Sequence, residues 1–184
     1  MKKMNLFWLL GLVLLMSACN NDDPQPVNEE EEITTLRITF TAAGEAPISF
    51  NWRDLDGEGG TAPVINPIIL VAGKTYDASI LVLNENEAIN LENKSYNVTL
   101  EVSEEDDEHQ FFYTKSAGLN LTHSYRDSDA NGNPVGIDSR FLTGAASTGT
   151  LTVTLKHQPG IKSATTGIND GETDIAVTFN TTIQ

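Results

Sequence analysis

Apolar and polar side chains alternate with a period of two along most of this chain. Leu36, Ile38 and Phe40 interleave with Arg37, Thr39 and Thr41, and Ile48, Phe50 and Trp52 with Ser49, Asn51 and Arg53. The same spacing recurs at Tyr76, Ala78, Ile80 and Val82, at Val98, Leu100 and Val102, and at Leu119, Leu121 and Tyr125. It returns at Leu151, Val153 and Leu155, and last at Ile175, Val177 and Phe179. Successive side chains of a strand point to opposite faces, so each run predicts a strand with one buried face. The runs are short, rich in Thr and β-branched residues, and bounded by Gly, Asn, Asp or Pro. A sustained helical period is absent; Glu104 to His109 reads as one exposed helical turn. The expectation is an all-β domain over residues 33–184, an immunoglobulin-like β-sandwich of about 7–9 strands. A closed barrel is the main competitor.

The first residues break this pattern. Met1-Lys2-Lys3 is basic, Leu6 to Met16 is an unbroken apolar run, and Ser17-Ala18 leads to Cys19, the single cysteine of the chain. Eleven apolar residues fall short of the ~20 that span a hydrocarbon core. The order of basic, apolar and small residues is that of a cleaved signal. It resembles a bacterial lipoprotein signal peptide over residues 1–18, with Met16 where that family prefers Leu. The resemblance implies cleavage before Cys19 and acylation of that residue. Two or more acyl chains make a stable anchor, so the implied partner is a membrane. Residues 19–32, from Asn20 through Pro24 and Pro26 to the run Glu29–Glu32, have too little apolar content to order themselves and predict an extended acidic tether. Asp22-Asp23 after the cysteine resembles the export signal of bacteroidete-type lipoproteins. That implies the outer face of the outer membrane, with the periplasmic leaflet as the alternative.

Charge narrows the partners. The chain carries 11 Lys and Arg against 26 Asp and Glu. Removing Lys2 and Lys3 with the signal leaves 9 against 26, about −17. Such a field repels phosphates, which argues against nucleic acid, and favours cations or basic partners. With Cys19 acylated, neither a disulfide nor a thiolate metal site remains. About 150 residues then bury roughly 70% of their unfolded surface in one core.

Three loops carry candidate chemistry. In Asp127-Ser128-Asp129-Ala130-Asn131-Gly132-Asn133-Pro134-Val135-Gly136-Ile137-Asp138, oxygen ligands fall at positions 1, 3 and 5, glycine at 6 and a carboxylate at 12. This is the spacing of an EF-hand calcium loop, with Asp127, Asp129, Asn131, Asn133 and Asp138 as oxygen donors for a hard cation. Pro134 and the short Asp138 depart from it, and the flanks are strands. The alternative is a long hairpin loop in which Asn131-Gly132 makes a tight turn. Asp54, Asp56 and Glu58 follow Trp52 in a glycine-rich loop and could bind a cation or, with the Trp52 ring, a glycan. Asn169 to Asp174 reads as a turn. His109, among Glu104, Glu105 and Glu108, is a candidate transition-metal ligand, although nothing in the spacing brings two histidines together. His123 is expected half-buried on a strand face.

Nucleophile, phosphate-loop and His-Glu-x-x-His motifs are absent, so the chain reads as non-catalytic. Residues 52–64, 107–113, 129–136 and 171–175 together resemble a family of small bacteroidete lipoproteins without an established activity. Members carry the label "type 1 periplasmic binding fold", a pair of α/β lobes whose strand–helix alternation is missing here. Leu70 to Tyr76 resembles a hairpin of many β-sandwich domains. The expected role is a membrane-anchored binding or presentation module for a protein or glycan at the cell surface, with structural calcium as an option. The alternative is a capture lipoprotein for a glycan, metal or small solute beside an outer-membrane uptake receptor.

Overall fold

A computed structural model describes residues 31–57 and 59–184. The signal segment, Cys19, the tether up to Glu30, and Glu58 lie outside the described residues. In chain order the elements are β1 (Thr35–Ala42), β2 (Ile48–Arg53), β3 (Val64–Ile65), β4 (Ile68–Leu70), β5 (Thr75–Leu83) and α1 (Val98–Glu104). Then follow β6 (His109–Lys115), β7 (Leu121–Tyr125), β8 (Asp138–Thr143), β9 (Ser147–His157) and β10 (Glu172–Ile183). Six strands form one sheet in the order β3-β2-β1-β5-β8-β7, and four form the other as β4-β10-β9-β6. The protein is an all-β sandwich of two open sheets, with ten strands among the described residues where about seven to nine were expected.

The period of two decides which side chains meet between the sheets. Leu36, Ile38 and Phe40 are fully enclosed, as are Val153, Leu155 and Phe179 on the facing sheet. Phe40 sits edge-on to Tyr76 at 5.9 Å and to Phe141 at 5.4 Å. Such pairs add about 0.5–1.5 kcal/mol beyond area burial. The long β9–β10 ladder pairs Val153 with Val177 and Leu151 with Phe179.

Two expectations are corrected. Val98, Leu100 and Val102 lie on α1, not on a strand. Residues 98 and 102 are also i and i+4, and they are the pair the helix buries; over five residues the two periods cannot be told apart. Thr99 on the next position joins the backbone of β5, its Oγ1 accepting from Val82 N at 2.8 Å. The helix ends at Glu104 and Glu105–Glu108 form turns, so the predicted helical turn is shifted toward the N-terminus. Leu70 to Tyr76 is not a hairpin. β4 pairs in parallel with β10, whereas β5 belongs to the other sheet. The segment is a corner between sheets, held by Ala72 N donating to Gln184 O at 2.8 Å and Val71 N to the Tyr76 hydroxyl at 3.0 Å.

Ordered structure begins before Ile33. The Glu32 carboxylate accepts from Asn86 Nδ2 at 2.8 Å and Asn84 Nδ2 at 3.3 Å, which ties the last tether residue to the chain after β5.

Candidate functional sites

The loop between β7 and β8 has its acidic side chains turned onto its own backbone. Asp127 accepts from Gly136 N at 2.7 Å and Asp138 N at 2.9 Å. Asp129 Oδ1 accepts from the amides of Asn131 at 2.9 Å and Asn133 at 2.8 Å, and Oδ2 from Asn133 Nδ2 at 3.2 Å. Gly132, at φ 84°, donates to Asp129 O and closes a tight turn. A cation is already present: Lys162 Nζ lies 3.4 Å from Asp129 Oδ2, and both side chains are fully enclosed. The same ammonium donates to the carbonyls of Asp106 and of His109, the latter at 2.8 Å. Burial lowers the Lys162 pKa, opposed by the charge and hydrogen bond of Asp129.

As the loop is folded, Asp127, Asp129 and Asn133 serve its own hydrogen bonds, the arrangement of a self-capped turn. The Asp127 and Asp129 oxygens bond to amides, and the Lys162 ammonium stands beside Asp129. Asn131 and Asp138 are exposed at the surface. The spacing of short oxygen-bearing side chains around a glycine reads equally as a calcium shell or as a self-capped turn. A lysine thirty-odd residues downstream, invisible to local spacing, favours the turn.

Of the second predicted group, Trp52, Asp54 and Asp56 do come together, and Glu58 lies outside the described residues. A cleft of about 540 Å³ opens where the first sheet meets the start of β10. Trp52, Asp54 and Asp56 line it with Glu32, Asn86 and Asp174. Trp52 is half-buried, packing on the core while lining the cleft. The β10 register shifts between Thr173 and Ile175, so a bulge at Asp174 presents this residue; bulges often re-aim side chains beside sites. Asp56 accepts from Thr61 N at 2.8 Å, and this bond keeps its carboxyl below the ordinary range. Asn86 Nδ2 also donates to Leu55 O at 3.3 Å, bracing the loop. Among the described residues lining the cleft are four carboxylates and no basic side chain.

The third grouping pairs two histidines that the sequence keeps far apart. His109 opens β6, His157 ends β9, and the two are register partners. Their rings stack with centroids 4.3 Å apart and planes 3° from parallel. One ligand atom each from Glu105, His109 and His157 falls within 4.8 Å of the others, the only such trio of His, Cys, Asp or Glu among the described residues. Glu108 Oε2 stands 3.4 Å from His157 Nε2. His109 is wholly enclosed, its Nδ1 lies 3.2 Å from Glu105 O, and its Nε2 has no hydrogen-bond partner. Burial, then the charge of His157, pulls the His109 pKa down to about 4. Glu101 adds its charge beside Glu105. Burial, then the charges of Glu101 and Asp174, raise the Glu31 carboxyl to about 7. The sequence offered His109 with its acidic neighbours; His157 was missed because cross-strand pairing joins residues 48 positions apart. A register alignment of the two strands was the signal that would have found it.

His123 sits half-buried on β7 as expected, with Nε2 3.2 Å from Ser139 Oγ. No protein-family model, curated protein or solved structure matches the chain.

Proposed function

We propose that this protein is a non-catalytic lipoprotein, held by lipid on Cys19 at the outer face of the outer membrane, whose cleft beside Trp52 captures a neutral polar ligand of the glycan class. The observation that carries the reading is the convergence of Trp52, Asp54, Asp56 and Asn86 on one cleft of about 540 Å³. Ligand pockets of a few hundred Å³ combine apolar or aromatic walls with a few placed polar groups. The indole offers a flat apolar face for a sugar ring, and the carboxylates and amide accept and donate hydrogen bonds to hydroxyls. The acidic lining selects against anions, so neutral or cationic glycans are favoured over uronic or sialic acids. The anchor reading rests on the basic, apolar and small-residue order before Cys19. In this role the protein hands its ligand to an outer-membrane uptake receptor or retains it at the surface.

The test has two arms. Intact cells treated with protease should lose the domain, and Cys19→Ala should move it out of the membrane fraction. Resistance until the outer membrane is permeabilised would place it in the periplasm instead. A panel of immobilised neutral and acidic glycans should retain the wild-type chain on neutral members, with Trp52→Ala reducing retention at least ~10-fold. Absence of any retention, or retention unaffected by Trp52→Ala and Asp54→Asn, overturns the capture reading.

A further inference from the structure

We propose that Glu105, His109 and His157 bind a transition-metal dication of the zinc class, with Glu108 closing the coordination shell. This site is separate from the Trp52 cleft and does not depend on the capture reading.

Cross-strand neighbours in an antiparallel pair hold their Cβ atoms about 4.5–5.5 Å apart. Two histidines at such a pair bring their rings side by side without long loops to order. Here the pair is His109 and His157, and Glu105 reaches the same place from the turn after α1. Two imidazoles with one or two carboxylates form a donor set that suits zinc, nickel or copper, and not the hard cations that take oxygen alone.

The state of His109 points the same way. Its Nδ1 faces the Glu105 carbonyl at 3.2 Å, so the proton belongs on Nδ1. Metal-bound histidines commonly donate their other ring N–H to a backbone carbonyl, which fixes the tautomer. The lone pair then lies on Nε2, which is enclosed and has no partner. A buried polar atom left unmatched is unfavourable. A metal ion on Nε2 would remove that cost; Glu105 Oε2 lies 4.0 Å from Nδ1, so the carboxylate must swing to reach the same ion.

Access and adjustment are available. The Glu105 and Glu108 side chains are 44% and 38% exposed, so both can swing and exchange with solvent. Donors around a tetrahedral zinc at about 2.0–2.1 Å stand roughly 3.4 Å apart. The trio must draw in from 4.8 Å, and the stacked rings must splay so that each lone pair aims at the ion. His109 is anchored from behind by Lys162, which donates to its carbonyl at 2.8 Å, so the movement falls on His157 and Glu105.

The experiment uses the full chain in detergent, with excess magnesium to saturate generic binding to the acidic surface. Zinc affinity is measured by competition with a chromophoric chelator, and cobalt substitution reports the ligands by its visible spectrum and X-ray absorption. The wild-type chain should bind one equivalent with imidazole nitrogen in the shell. His157→Gln and Glu105→Gln should each weaken binding at least about tenfold, while Asp138→Asn should leave it unchanged. Any contribution from Cys19 is common to all these chains and cancels. Glu105 is partly exposed, so Glu105→Gln keeps its fold and carries the test even where His157→Gln unfolds. Equal affinity in wild type and Glu105→Gln, or a metal spectrum without nitrogen ligands, overturns the site.

Discussion

Lys162 and Asp129 form an ion pair at 3.4 Å in which neither side chain reaches solvent. The pair joins the β9–β10 connection to the β7–β8 loop, and the remaining ammonium bonds reach Asp106 and His109. One lysine thus fastens three segments at one end of the sandwich. Removing one member of a buried pair leaves the other charge unmatched and costs about 3–5 kcal/mol. Lys162→Met should lower stability by that order in chemical denaturation. Adding Asp129→Asn to Lys162→Met should recover part of the loss, because the charge left unpaired is then gone. A double variant as unstable as the sum of the singles would show that the two residues do not act as a pair.

The same ammonium yields an expectation for calcium. A loop already capped by its own amides and by an ammonium is expected to gain nothing specific from the ion, leaving only general screening of an acidic surface. Calcium should raise the melting temperature no more than equimolar magnesium does. A calcium-selective rise lost in Asp127→Ala with Asp129→Ala would mean that the loop rearranges around the ion.

Gly136 shows how closely the β7–β8 loop lies on the second sheet. Its φ is +88°, and a Cβ there would meet Phe111 O at 2.7 Å. Gly132 in the same loop has φ +84° with open space around it. A side chain held at positive φ costs about 1–3 kcal/mol. Gly132→Ala should show that strain alone, and Gly136→Ala should cost more, because backbone must also move. Denaturation midpoints of the two variants give the comparison; equal losses would show that the contact with Phe111 is slack.

The sandwich was legible wherever inward positions were apolar. Leu36, Ile38 and Phe40 in β1, and the series in β5, β9 and β10, announced themselves. β8 did not, because the residues flanking Phe141 on its inward face are Ser139 and Thr143, both buried. Polar side chains on a core-facing register erase the period of two. β6 was blurred for the opposite reason: His109, Gln110 and Phe111 are buried in succession, so no exposed face alternates. The Trp52 cleft was legible in part, since its acids lie next to the aromatic in sequence. The contribution of Asn86 and Asp174 was not, since it depends on strand order. The His109–His157 pair and Lys162 were hidden for the same reason: their partners are brought together only by tertiary structure.

His123 supplies the last prediction, a stability that declines with acid. Its ring lies 4.5 Å from Tyr113 and from Tyr125 and 5.1 Å from Phe141. Burial lowers its pKa from 6.5 to about 4, against a smaller raising effect of Asp127. The unfolded chain therefore binds this proton at a higher pH than the folded one does. Stability from this residue is whole above about pH 6.5 and is lost as pH falls toward 4, below which no more is lost. His109 acts with the same sign, and Glu31, raised to about 7, with the opposite one. The test is therefore a difference between two chains. Between pH 7 and pH 4 the urea midpoint of wild type should fall further than that of His123→Gln, and the His123 ring protons should titrate in NMR with a midpoint near 4. A midpoint near the ordinary 6.5, or parallel acid losses in both chains, would mean that the aromatic surroundings leave the imidazole solvated.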